Sequence, residues 1–141
     1  ASDRPLLGIC LGMQMLASVS EEFGTHEGLG LIDGRVVPVP KTTTDGAAQK
    51  IPHIGWSPLL PAAGACWIGT PLAGITPGTY VYLVHSFHVV PRQASSLLAI
   101  CQYGGHDVTA AIRSGRITGC QFHPEKSGEA GLAVLRSFLA Q

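Results

Sequence analysis

Pro5-Leu6-Leu7-Gly8-Ile9-Cys10-Leu11-Gly12-Met13-Gln14-Met15 is the stretch on which the reading of the whole chain turns. Leu6 to Ile9 reads as a short buried strand running directly into a helix, with a cysteine at the junction and a glycine two residues away on either side. That is the pattern of a nucleophile elbow, where a Cβ at the neighbouring positions would block both the turn and the approach of substrate. A thiol at such a junction meets the positive end of the helix dipole and free backbone N–H groups, which favour the thiolate. The competing reading of Cys10 is a small buried hydrophobe with no chemistry.

Around this stretch lie 141 residues, enough for one domain spanning 1–141 with a real core. A hydrophobic content of 45%, a mean hydropathy of +0.27 and only 13% charged residues describe a folded protein, part of whose surface a partner would cover. The net charge is zero and there is no Lys/Arg run, which argues against nucleic acid or an anionic membrane as partner. No apolar run approaches transmembrane length and no secretory pattern opens the chain, so the expected location is the cytoplasm. Cys10, Cys66, Cys101 and Cys120 are scattered without C-x-x-C spacing, as reduced thiols rather than a disulfide framework or a zinc site; no metal and no cofactor are expected. Because the first residue is Ala and a strand falls within the first ten residues, sequence upstream of Ala1 is expected to be missing.

Leu11, Met15, Val19 and Phe23, with Leu16 beside them, predict one long helix ending at Gly24, with Met13 and Gln14 off its apolar stripe. Gln14 could then look toward whatever Cys10 attacks, although a surface glutamine is the plainer reading. Glu21 and Glu22 would sit at the helix C-terminus, where the dipole disfavours them, either as solvated charge or because one meets a ligand or partner. Leu29 to Val37 predicts two strands around an Asp33-Gly34 turn, and 38–50 an exposed loop. Lys50 to Pro58, with two prolines, Gly55 and Trp56, describes a shaped surface in which the indole is either a contact anchor or packed under a loop. Tyr80 to Val84, Phe87 to Val90, Leu97 to Tyr103, Val108 to Arg113 and Arg116 to Phe122 predict strands, with a Ser114-Gly115 hairpin turn. His85 and His88, three apart on extended chain, would face opposite ways and share no metal. A final helix would bury Leu132, Leu135, Phe138 and Leu139.

The second informative stretch is His123-Pro124-Glu125. Proline keeps the residue before it extended, so the Glu125 carboxylate two residues on can reach the imidazole, fix its tautomer and leave the other ring nitrogen to take a proton from a thiol. Cys10 and His123 each follow a strand that precedes a helix, and the C-terminal ends of such strands are where open α/β sheets bind ligands. Nucleophile, acid/base and orienting carboxylate define acyl transfer, with the Leu11 N–H as an oxyanion donor.

Gly8-Ile9-Cys10-Leu11-Gly12-Met13-Gln14 with His123-Pro124-Glu125 resembles the signature of class I, triad-type glutamine amidotransferases. Gly28 to Ile32, Pro52-His53-Ile54-Gly55-Trp56, Val84 to Phe87 and Gln121 to Ser127 are similar to the glutaminase subunit of imidazole glycerol phosphate synthase, and the similarity runs from Pro5 almost to the end. The resemblance implies a flavodoxin-like α/β domain with a mixed sheet, lacking N-terminal β/α units and a glycine-containing oxyanion loop. It implies that Cys10, His123 and Glu125 hydrolyse glutamine, that Leu11, Gln14, Glu22, Ser86 and Phe87 hold it, and that the ammonia passes to a (β/α)8 barrel cyclase subunit in histidine biosynthesis. Pro52, His53, Trp56 and Lys126 are the positions it implies at that partner. A glutaminase subunit serving another synthase, and a non-catalytic interaction module, are the alternatives.

Overall fold

In the computed structural model, which describes residues 3–141, Leu6–Ile9 forms β1 and Leu11–Met15 forms α1, a helix of only five residues. β1 lies at one edge of a five-stranded mixed sheet, parallel to β11 (Ile117–Cys120), with Ile9 paired to Cys120. β10 (His106–Ser114), β9 (Leu97–Tyr103) and β6 (Leu60–Pro61) continue that sheet antiparallel. β2 (Val19–Ser20), β3 (His26–Glu27), β4 (Gly34–Pro38) and β8 (Phe87–Pro91) make a four-stranded sheet, in which β2 runs parallel to β4. β5 (His53–Pro58) and β7 (Tyr80–His85) form a two-stranded antiparallel sheet. The chain closes with α2 (Gly128–Leu139). This is the α/β architecture with mixed sheets expected from the sequence, and its core divides in two. One cluster, with Phe122, Leu83, Leu59 and Trp67, receives Val134 of α2; the other packs Met13, Leu16 and Ala17 against Val36, Val89 and Ile112.

Three local expectations are corrected. The long helix does not form: Val19 is in β2, and Phe23 is 94% exposed with φ 54°. Nor is the expected stripe the buried one, because Leu11 and Met15 face outward while Met13 is fully buried where Gly119 leaves room for it; a Cβ on Gly119 would lie 2.7 Å from Met13 Cγ. Residues 28–32 are not a strand. Their amides instead receive the carbonyls at the end of α1, Gly28 N–H donating to Ser18 O, Leu29 to Met15 O, Gly30 to Ala17 O and Ile32 to Leu16 O at 2.8–3.1 Å. A helix terminus leaves such carbonyls without partners, and satisfying them outweighs strand pairing here. Gly28 permits the close approach, since a Cβ would stand 2.1 Å from Ala17 O.

Smaller shifts follow the same logic. β1 is only half buried, with Leu6 40% exposed, because it is an edge strand. The hairpin turn is Gly115-Arg116, as Ser114 still pairs with Ile117. α2 presents Gly131 and Val134 to the core rather than Leu132 and Leu139. A Cβ on Gly131 would reach 1.8 Å from Pro124 O, so this contact sets which face turns inward. Among the described residues, no helix is long and apolar enough to cross a membrane.

Candidate active site

Cys10 terminates β1 at φ 53°, ψ −110°, angles that non-glycine residues rarely adopt. Its N–H is tied to Cys120 O at 2.7 Å and its carbonyl accepts from the Gln14 N–H at 3.2 Å, so the turn is held on both sides. Gly8 is needed for it, because a Cβ there would lie 2.6 Å from Gly12 O; a Cβ on Gly12 would meet no protein atom within 4 Å. The sulfur lies 4.0 Å from Val84 O and 3.7 Å from Gln121 Nε2. Burial raises the thiol pKa, the Leu11 N–H and the Gln121 amide lower it, the Glu125 charge raises it again, and the net shift is upward. Cys10 therefore rests as a thiol.

His123 follows β11, the parallel neighbour of β1, and has extended angles of φ −97° and ψ 101°. Pro124–Lys126 then forms a 3-10 turn instead of continuing extended, yet Glu125 Oε1 still reaches His123 Nδ1 at 2.7 Å. The opposite nitrogen, Nε2, is thereby left for proton transfer when Nδ1 carries the hydrogen. The main chain of His123 is clipped to β7: its N–H donates to Tyr82 O at 2.9 Å, and buried Ser127 donates to His123 O at 2.7 Å while accepting from the Tyr82 N–H at 3.0 Å.

A cleft of about 200 Å³ opens beside the thiol, lined by Cys10, Leu11, Gln14, Glu22, Val84, His85, Ser86 and Phe87. Five residues singled out from the sequence for substrate thus share one cavity with the candidate nucleophile. The two adjacent carboxylates separate: Glu21 pairs with Arg35, while Glu22 lines the cleft. Gln14 is fixed rather than a loose surface residue, its Nε2 donating to Phe87 O at 3.2 Å and to Gln121 Oε1 at 3.1 Å. Gln121, in contact with the Cys10 sulfur, and Ser127, bonded to the His123 carbonyl, are positions that sequence reasoning did not assign. Gln121 lies two residues before His123, and that spacing was the available signal.

The residues expected at a partner do not all face outward. Trp56 is 55% exposed and stands edge-on to Tyr82 at 5.9 Å, Lys126 is exposed and Pro52 half-buried. His53 is 3% exposed, a correction: its imidazole points inward, stacks on Tyr103 at 4.1 Å, and bonds His85 Nε2 and Ser57 Oγ, each at 3.0 Å. Alternation along β5 sends His53 and Ser57 in and Ile54 and Trp56 out. His85 also bonds Phe87 O through Nδ1 at 2.8 Å, whereas His88 Nδ1 accepts the Thr109 N–H at 3.2 Å, so the two histidines serve different partners. All four cysteines are free.

The family model described as Glutamine amidotransferase class-I matches residues 1–141. The chain belongs to the class I glutamine amidotransferase family. It is 51% identical over 139 residues to imidazole glycerol phosphate synthase subunit HisH 1 of Legionella pneumophila strain Lens, covering 98% of this chain and 65% of that protein. With the HisH subunit of Rhodospirillum rubrum it shares 47% over 136 residues, 96% of this chain and 60% of the other. The chain therefore spans about two thirds or less of the length of these relatives. In fold it resembles a glutamine amidotransferase from Thermotoga maritima (TM-score 0.60, 17% identity, 98% of this chain and 48% of that one). It also resembles the glutaminase domain of Trypanosoma brucei CTPS (TM-score 0.58, 17% identity, 99% and 61%).

Proposed function

We propose that this chain is the glutaminase part of an imidazole glycerol phosphate synthase, releasing ammonia from glutamine for a (β/α)8 barrel cyclase subunit. The observation that carries the chemistry is the cleft in which Cys10, Leu11, Gln14, Glu22, Ser86 and Phe87 converge. The near 50% identity to subunits bearing that name supports the choice of synthase.

In the proposed reaction His123 Nε2 takes the Cys10 proton and the sulfur attacks the carboxamide carbon, while the Leu11 N–H faces the oxygen that gains charge. The C–N bond breaks as His123 returns the proton to nitrogen, leaving ammonia and a glutamyl thioester. Water, deprotonated by His123, then cleaves the thioester to glutamate and free thiol. Glu125 holds the imidazole and stabilises its charged form. Gln14 and Glu22 present acceptor oxygens suited to the substrate ammonium, and the backbone at Ser86 and Phe87 closes the opposite wall. Trp56 and Lys126 face the cyclase. Trp56 touches Tyr82, whose carbonyl holds the His123 N–H, so partner docking has a short route to the base. Free, scattered thiols fit a cytoplasmic setting.

Labelling with a glutamine-derived electrophile tests the reading. Mass should be added at Cys10 and not in Cys10→Ser, and ammonia release should rise when the cyclase is supplied. Absence of label at Cys10 would refute the glutaminase. Labelling without any cyclase complex would move the chain to a different synthase.

A further inference from the structure

We infer that Gln121 is a further residue of the catalytic site, whose side-chain amide donates to the Cys10 sulfur in a direction imposed from a backbone carbonyl across the cleft. The inference rests on the proposed role of Cys10 as nucleophile. Gln121 is fully buried, with Nε2 3.7 Å from Sγ and Oε1 3.1 Å from Gln14 Nε2.

An amide can be turned end for end, but here the bonding fixes it. Phe87 O is a carbonyl and can only accept, so the group facing it at 3.2 Å is the Gln14 NH2. One hydrogen of that NH2 goes to Phe87 O and the other to Gln121. Gln121 must therefore turn its oxygen toward Gln14, which leaves its own N–H groups for the sulfur. Gln14 is the positioning residue in this pair. Phe87 O is itself held by a second donor, His85 Nδ1, at 2.8 Å.

The main chain is fixed as well. The pairing of β10 with β9 shifts register between Thr109 and Ala111, and such a bulge re-aims the groups around it. At this bulge the Ala110 carbonyl accepts the Gln121 N–H at 2.8 Å, while the Thr109 N–H is taken by His88. A sulfur carried into a partly buried site next to Glu125 needs donors to become a thiolate. The Leu11 N–H supplies one from the backbone and Gln121 supplies one from a side chain.

The test is the pH profile of iodoacetamide alkylation, resolved by cysteine with mass spectrometry, with exposed Cys66 as reference on the same chain. In Gln121→Met the Cys10 midpoint should rise by about one pH unit, roughly tenfold less thiolate at a given lower pH, and Gln121→Glu should raise it further. Cys66 should not move. An unchanged Cys10 midpoint in either folded variant would overturn the inference. Alkylation needs neither glutamine nor cyclase, so a wild-type chain without glutaminase activity would count against the proposed function and leave this result standing. If melting curves show that neither variant folds, the wild type decides: with 15N-glutamine labelling, the Gln121 side-chain amide should titrate with Cys10 and lose that response in Cys10→Ser. An amide indifferent to the titration would refute the donation.

Discussion

Glu125 acts on two neighbours with opposite consequences. Its carboxylate holds His123 Nδ1, which would help the proposed base, and its charge raises the Cys10 thiol pKa, which would hinder formation of the proposed nucleophile. Glu125→Gln separates these effects. Cys10 should alkylate at lower pH than in the wild type, while glutamine hydrolysis by the complete enzyme should fall by about a hundredfold or more as general acid–base assistance is lost. Parallel curves of alkylation rate and ammonia release against pH check the opposed signs; a fall in both would deny the electrostatic link. The carboxylate and imidazole were legible two residues apart in the sequence, since proline restricts His123. The upward shift of the thiol was not, because it comes from burial of the sulfur in the folded chain, where residues as distant in sequence as Val84 and Gln121 come up to it.

Among the elements, α2 shows how packing reaches the site. Gly131 lies against Pro124 O, in the residue between His123 and Glu125. Gly131→Ala should cost about 1–3 kcal/mol by overpacking, even though alanine is the better helix former. Because the atom displaced belongs to the turn bearing the proposed acid/base pair, His123 and Glu125, the proposed glutamine turnover should fall more than stability alone explains; a denaturant melt beside a rate measurement at a temperature where the variant is folded distinguishes the two. The strands β7, β8 and β9 were legible to within a residue at each end from their runs of apolar residues, whereas β10 begins two residues before the expected Val108 and ends one after Arg113. The helix after Cys10 was misread for a physical reason. Leu11, Met15, Val19 and Phe23 keep helical spacing, but Met13 fits beside Gly119 and Val19 pairs with Arg35, and long-range contacts override a local period.

At the scale of the whole molecule, buried histidines give the fold an acid limit. Burial lowers the pKa of both His53 and His88 to about 4, from an ordinary 6.5, with the neighbouring His85 adding to each. The unfolded chain takes up those protons first. Stability should therefore be level above about pH 6.5 and fall as pH drops toward about 4, by on the order of a few kcal/mol for the pair. Melting temperature against pH should show that slope, and His53→Gln should flatten part of it; an unchanged slope would assign the acid limit elsewhere. A different property follows from the loop 28–32, whose amides close the end of α1. Five residues are far below the length at which a helix persists in water by itself. The strained turn at Cys10 is therefore cooperative with the fold: a free peptide of residues 5–15 should be a random coil bearing an ordinary thiol.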